Sequence, residues 1–193
     1  MIAGNPVPSP LRLRGMDLDE FLIRHDGVIS RQQALGLGMS SAAISRRVDS
    51  GRWRGVTRGV YLAAGHPRSA RAQARLAVAA VGPTAVLGGA AAAWWLGFVA
   101  DEPHRQVVFT SAVGDHRRRT STSLVRHRRL CAEDVSIHRH LRVTSPALTA
   151  LDAAEEIGLK ALDAVLLRRF TTVDGLLRAH ARYPTVRDKS DRG

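Results

Sequence analysis

Side chains that commonly bind nucleic acid are concentrated between positions 40 and 58. The guanidinium of arginine is a planar fork that pairs with phosphate oxygens or with the edge of a guanine, and serine hydroxyls hydrogen-bond to bases as well. Four of these residues are predicted to enter the major groove of double-stranded DNA: Ser40, Ser41, Ser45 and Arg46. Four more are predicted to engage phosphates or the minor groove: Arg47, Arg52, Arg54 and Arg58.

Two short helices are predicted ahead of this stretch. The first ends at Asp26-Gly27 and has an apolar face at helical spacing, formed by Leu18, Phe21, Leu22 and Ile23. The second begins at Ser30, because Ser30 and Gln33 have the spacing of a capping box, in which the two residues satisfy each other's backbone amides.

The predicted third helix carries Arg46 on its solvent face. Ser40 or Ser41 caps its start, Ile44 and Val48 turn inward, and Gly51 follows its end. Residues 53–62 then show the residue types of two strands around glycines, which predicts a hairpin. A helix exposed beside a turn and followed by a basic ribbon is typical of a winged helix-turn-helix, which places the helix in a major groove. The predicted core of this unit is Leu18, Phe21, Leu22, Ile29, Leu35, Ile44, Val48, Trp53, Val60 and Tyr61.

The overall charge agrees with an anionic partner. The 193 residues carry a formal net charge of +12, whereas the hydrophobic fraction of 45% and the charged fraction of 24% are ordinary for a globular protein. All but two of the 29 basic residues are arginine, which a GC-rich genome would also produce without selection for DNA binding. Small three-helix units also serve as protein–protein modules, but charge and shape together favour DNA.

The fold class predicted for the whole chain is α+β, with the winged helix-turn-helix at residues 14–65 followed by a mixed helix and strand domain. Gly65-His66-Pro67 predicts a joint, so the second domain spans residues 66–183, and residues 184–193 are expected to form a disordered tail. In the second domain we expect helices over residues 69–81 and 84–96, strands near 106–110 and 123–129, a short third element at 135–143, and further helices from Pro146 onward. The tryptophans Trp94 and Trp95 are expected to pack in the core. A polar loop with Arg117, Arg118 and Arg119 is a further candidate for phosphate contact.

Little in the sequence indicates catalysis, and we predict a non-enzyme with no metal and no cofactor. His138 and His140 could lie on one face of a strand, but no carboxylate or cysteine pair has a confirming spacing, so exposed histidines are the preferred interpretation. Asp152, with its neighbours Glu155 and Glu156, is interpreted as the solvated side of a helix. The single cysteine, Cys131, excludes an intramolecular disulfide and suits a reducing cytoplasm. No secretory signal is recognised, and residues 84–100 are interpreted as a buried helix rather than a membrane span.

Several short segments give the chain a family resemblance. They are Gly51-x-Trp53, Arg58-Gly59-Val60-Tyr61, Trp95-Leu96-Gly97, Val143-Thr144-Ser145-Pro146 and Leu151-Asp152. On these segments the chain resembles actinobacterial proteins of the AbiEi-type antitoxin family, which have a winged helix-turn-helix at the N-terminus. The resemblance extends over residues 15–180.

The resemblance implies a function in a type IV toxin–antitoxin system, where the antitoxin binds and represses its own promoter. It implies double-stranded DNA as one partner and a cognate toxin as a possible second. Many relatives carry a further C-terminal domain that resembles the very-short-patch-repair endonuclease, and we expect that domain to be absent here. Two alternatives stay open: a toxin-neutralising interaction protein, and a truncated remnant of an endonuclease-like protein.

Overall fold

Three helices and a three-stranded sheet form the winged-helix unit at the start of the chain. The computed structural model describes residues 16–111 and 123–183. The elements of this unit are helix α1 (Leu18–Arg24), strand β1 (Val28–Ser30), helices α2 (Arg31–Gly36) and α3 (Ser41–Asp49), and strands β2 (Trp53–Thr57) and β3 (Val60–Ala63). The strands form an antiparallel sheet in the order β1-β3-β2. The predicted winged helix-turn-helix is confirmed.

Side-chain caps begin the second and third helices where the sequence predicts them. The Oγ of Ser30 accepts from the Gln33 amide at 3.1 Å, and the Oε1 of Gln33 accepts from the Ser30 amide at 2.8 Å, which completes the capping box. Ser40 rather than Ser41 caps α3, because its Oγ accepts from the amide of Ala43 at 3.1 Å. These two caps fix the residues at which α2 and α3 begin.

The wing is a tight hairpin between β2 and β3. Thr57 pairs with Val60, so only Arg58 and Gly59 form its loop. Gly59 has a φ of 72°, a conformation that favours glycine because it has no Cβ. The wing tip is tied to the second helix, since the backbone amide of Arg31 donates to the carbonyl of Gly59 at 2.8 Å.

The core of the unit matches the predicted one except at Leu35. Phe21, Ile44 and Trp53 are each 1% exposed and pack in one cluster with Ile29. Leu35, predicted to be buried, is 44% exposed, because the six-residue α2 turns Ala34 inward instead. Ile23, predicted on the apolar face of α1, is 71% exposed.

The elements that follow the winged helix form a second unit with its own sheet. Its elements are α4 (Ala70–Val81), β4 (Val86–Gly88), α5 (Gly89–Trp95), β5 (Gln106–Thr110), β6 (Ser123–His127), a 3-10 turn (Ala132–Asp134), β7 (Val135–His138), β8 (Leu141–Thr144), α6 (Pro146–Ile157), α7 (Lys160–Leu167) and α8 (Val173–Arg182). The five-stranded sheet has the order β6-β5-β4-β8-β7. Pairs β4/β5 and β7/β8 are antiparallel, and pairs β4/β8 and β5/β6 are parallel.

The predicted helix over residues 84–96 is wrong in its first part, where β4 lies in the centre of the sheet. Gly88 passes so close to Phe109 that a Cβ at this position would lie 2.1 Å from the ring. Gly89, with a φ of 59°, then turns the chain from the strand into α5. The prediction for Trp95 is correct, because it is 4% exposed in the core of the second unit.

The single element predicted at 135–143 is a two-stranded hairpin. Its loop consists of Arg139 (φ 47°) and His140 (φ 59°), both in the left-handed region that a type I′ turn requires. Non-glycine residues adopt this conformation at a cost in free energy, so neighbouring contacts must stabilise the turn.

Asp152 is not on a solvated face, as predicted, but 8% exposed. Helix α6 contacts α5, α7 and α8, so it buries more of its circumference than a single stripe. Arg128 compensates the buried carboxylate, because its Nη1 donates to both oxygens of Asp152 at 2.8 and 2.9 Å. Burial raises the pKa of Asp152, and the hydrogen bond and charge of Arg128 oppose that rise.

Helix α4 connects the two units and packs against both. Ala72 and Leu76 of α4 share a hydrophobic cluster with Val28, Val60 and Leu62 of the winged-helix sheet. A domain boundary at residue 65 stays a prediction, and a fragment cut there would leave one face of the three-stranded sheet uncovered.

Arg75 is the central contact between the units. This α4 residue is 3% exposed, and its Nε donates to Oδ2 of Asp26 at 2.6 Å. Its Nη2 donates to the carbonyl oxygens of Arg24 at 3.0 Å and Arg139 at 2.7 Å, and its guanidinium lies 5.0 Å from the ring centroid of Trp95. One side chain therefore joins the turn after α1, the β7–β8 turn and the core of the second unit.

We expect Arg75→Met to destabilise the protein by about 3–5 kcal/mol, because Asp26 and two carbonyls would lose their shared donor. Chemical denaturation of the full chain measures this. Arg71→Met is the matched control: Arg71 also reaches Asp26, at 3.2 Å, and lies over Trp95, but it is 39% exposed. We expect the control to cost less than about 1 kcal/mol. Equal losses in both variants would contradict the central role of Arg75.

Because His25 is largely buried, we expect the protein to become less stable in acid. Burial lowers its pKa to about 4, with smaller lowering contributions from Arg75 and His140, while its ring stacks on Phe21 with centroids 3.8 Å apart. The unfolded chain takes up the proton near pH 6.5, before the folded chain does. The free energy of unfolding should therefore fall from about pH 6.5 down to about pH 4, by at most about 1.4 kcal/mol per pH unit from this residue.

His25→Phe should flatten that slope in denaturation curves recorded across the same pH range. His104→Phe, at an exposed position, should leave the slope unchanged. An unchanged slope in the His25 variant would show that its burial does not govern the acid response.

Candidate nucleic-acid interface

One side of α3 is free of contacts with the core. Ile44, which is 1% exposed, anchors the opposite side, and Val48 packs against the same cluster. The predicted contact residues Ser41, Ser45 and Arg46 are all exposed. Ser40 is exposed as well, although its hydroxyl already caps the helix.

Arg47 differs from Arg46 in its surroundings. It is half-buried, and its guanidinium lies 5.5 Å from the centroid of the Trp53 ring at the start of β2. A cation over an indole is attracted by the ring quadrupole, which limits the freedom of the side chain. Arg47 therefore links α3 to the wing and holds its charge at their junction.

The wing arginines lie on different parts of the hairpin. Arg52, Arg54 and Arg58 are all exposed, and Arg58 forms the tip. Arg54 pairs with Leu62, and directly paired residues of antiparallel strands point to the same face of a sheet. Leu62 faces α4, so Arg54 lies on the α4 side of the sheet, whereas Trp53 packs with Ile44 of α3 on the other side.

Arg31 is a candidate that the sequence interpretation missed. It is exposed at the first position of α2, and its backbone is hydrogen-bonded to the wing tip. The structure therefore brings Arg31 and Arg58 close together. The only local signal was its position directly after the capping serine, which places it at the exposed start of a helix.

The remaining predicted residues are placed as follows. Arg117, Arg118 and Arg119 lie outside the described residues. His140 is exposed, and His138 is half-buried, with its carbonyl accepting from Trp95 Nε1 at 3.1 Å. Within residues 16–111 and 123–183, no group of three His, Cys, Asp or Glu residues could hold a metal ion. No helix in the described part of the chain is both long and apolar enough to cross a membrane.

Comparison with known families covers both units. Residues 16–64 match the family described as a transcriptional regulator, AbiEi antitoxin, and residues 84–178 match the AbiEi antitoxin C-terminal domain. The chain belongs to the AbiEi antitoxin family. The first match coincides with the winged helix-turn-helix, and the second covers the five-stranded sheet and most of α8. A search of curated proteins finds no match to this antitoxin family member.

Both matched families are antitoxin and regulator families rather than enzyme families. The family resemblance stated from the sequence is thus confirmed, including its extension into the second unit. Neither match favours the alternative of an endonuclease remnant.

Proposed function

We propose that this AbiEi family protein is a DNA-binding transcriptional regulator that represses its own promoter without catalysing a reaction. The observation that carries the proposal is the exposed face of α3, held between the wing and α2, with arginines at both margins. The match of residues 16–64 to a transcriptional regulator family supports it. A role on chromosomal DNA also favours the cytoplasm as its location.

In the proposed complex α3 lies in the major groove. Ser41, Ser45 and Arg46 face base edges, where a bidentate arginine–guanine pair gives the strongest discrimination. Arg58 and Arg31 contact phosphates beside the groove, because the wing tip holds them together. Arg47 and Arg52 lie at the junction of α3 and the wing and are assigned to the backbone as well.

The net charge of +12 adds a contribution that does not depend on sequence. Each arginine that neutralises a phosphate releases counterions, so affinity for any DNA falls as salt rises. Non-specific binding by the full chain should therefore be measurable in low salt and weaken strongly near physiological salt.

A toxin is proposed as a second partner on narrower grounds. Residues 84–178 match the antitoxin C-terminal domain, which associates the second unit with the antitoxin role. Toxin contact would then use surfaces of the second unit and leave α3 available for DNA.

Arg46→Ala tests the assignment of α3. Capture of genomic fragments by the purified protein first supplies the specific site, and fluorescence anisotropy then measures affinity for that site and for random DNA. We expect a loss of about 1–3 kcal/mol on the specific site and a smaller loss on random DNA. Arg178→Ala, an exposed arginine of α8, is the control with the same change of charge. Equal losses of Arg46→Ala on both DNAs would make it a phosphate contact and remove it from base recognition.

The wing is tested by the dependence of affinity on salt. Arg58→Ala and Arg31→Ala should each reduce the slope of log affinity against log salt by about 0.9, the value for one lost phosphate contact. Arg54→Ala should change the slope less, because Arg54 lies on the α4 side of the sheet. A slope that changes with Arg54→Ala but not with Arg58→Ala would place DNA on the α4 side of the wing and contradict the proposed complex.

A further inference from the structure

A cleft of about 690 Å³ lies between the winged-helix unit and the second unit. On one side it is bounded by α2, the wing tip and Val28, and on the other by α4 and the β7–β8 hairpin. Its apolar wall is formed by Val28, Val60, Val78, Ala79, Ile137 and Leu141. The volume lies within the range of small-molecule sites, which are concave and mostly apolar.

The charged residues of the cleft are all of one sign. Four arginines line it, namely Arg31, Arg58, Arg75 and Arg142, and no Asp or Glu is among the described residues that line it. Arg75 is already paired with Asp26 and two carbonyls. The other three leave an excess of positive charge next to an apolar wall.

Arg142 has an unmet requirement for an acceptor. Its Nε is buried and has no hydrogen-bond partner among the residues that the structure describes. A buried N–H without an acceptor is costly, and the cost is greater on a charged guanidinium. Nε itself has almost no accessible surface, so an anion in the cleft would stabilise the guanidinium through its charge rather than by a bond to Nε.

Another cleft, lined by described residues, differs in its balance of charge. It measures about 450 Å³ and is lined by both signs of charge, including Asp101, Glu102, Arg105 and Lys160. Asp101 and Lys160 already form an ion pair at 2.7 Å. Its charges are compensated within the protein, so it has no comparable preference for an anion.

We propose that the cleft between the two units binds a small organic acid with an apolar body, whose carboxylate pairs with the positively charged guanidinium of Arg142. The apolar body would cover the wall formed by the valines and Leu141. Two of its arginines, Arg31 and Arg58, are also assigned to DNA phosphates in the proposed complex, so its occupancy is measured without DNA.

Isothermal titration calorimetry of the full chain with 1-naphthaleneacetate tests the class of ligand. We expect saturable binding at one site per chain, driven by both the carboxylate and the apolar rings. Neutral 1-naphthaleneacetamide lacks the charge, and acetate lacks the apolar body. Each should bind at least about tenfold more weakly. No saturable binding of the acid at millimolar concentrations, or equal binding of the acid and the amide, would overturn the proposal.

Two variants test the location. Arg142→Met keeps the length of the side chain but removes its donors, and it should weaken binding of the acid at least about tenfold. Arg178→Met removes the same charge on exposed α8 and should bind as the unmodified chain does. Equal affinity in these two variants would overturn the proposal.

A third variant guards against a folding defect in Arg142→Met. Ala79→Leu narrows the cleft from the half-buried side of α4 while Arg142 stays intact. It should lower affinity for the acid without changing the circular dichroism spectrum. Unchanged affinity in a folded Ala79→Leu variant would place the acid elsewhere and overturn the proposal.

Discussion

The relative placement of the two units depends on the hydrogen bonds made by the guanidinium of Arg75. It is buried, and it bonds to the carboxylate of Asp26 and to the carbonyl of Arg139 at the tip of a strained hairpin turn. Removal of a single partner from such a buried network leaves several polar groups without hydrogen bonds, which costs more than the loss of an exposed ion pair. The stability of the turn after α1, of the β7–β8 turn and of the α4 packing is therefore coupled through one side chain.

This coupling explains how α3 stays exposed. Helix α4 covers the face of the three-stranded sheet that carries Val60 and Leu62, and α3 packs on the opposite face through Ile44 and Trp53. With both faces of the sheet occupied, the outer side of α3 and the wing tip stay exposed. Helix α4 thus supports the geometry of the proposed DNA surface from the opposite face of the sheet.

Local signals were sufficient to predict some of these features, and the reasons are physical. The Ser30 capping box and the Ser40 cap involve residues three positions apart, so their spacing in sequence specifies the helix starts. Strand β4 has only three residues, and it is a strand because β5 and β8 pair with it, which no local pattern contains. The burial of Asp152 likewise results from the helices packed around α6, and its compensating partner, Arg128, is 24 residues away. For the candidate interface, exposure of Arg46 followed from helical periodicity, whereas the proximity of Arg31 to the wing tip needed the tertiary structure.

Hydrogen–deuterium exchange of the full chain, with and without a DNA fragment that carries its own promoter, tests the central claim most directly. Exchange of backbone amides reports which segments are stabilised by a bound partner. If α3 contacts DNA as proposed, exchange should become slower in α3 (Ser41–Asp49) and at the wing tip when DNA is bound, with α7 (Lys160–Leu167) unchanged. Slower exchange in α7 and α8, together with unchanged exchange in α3, would contradict the proposed contact.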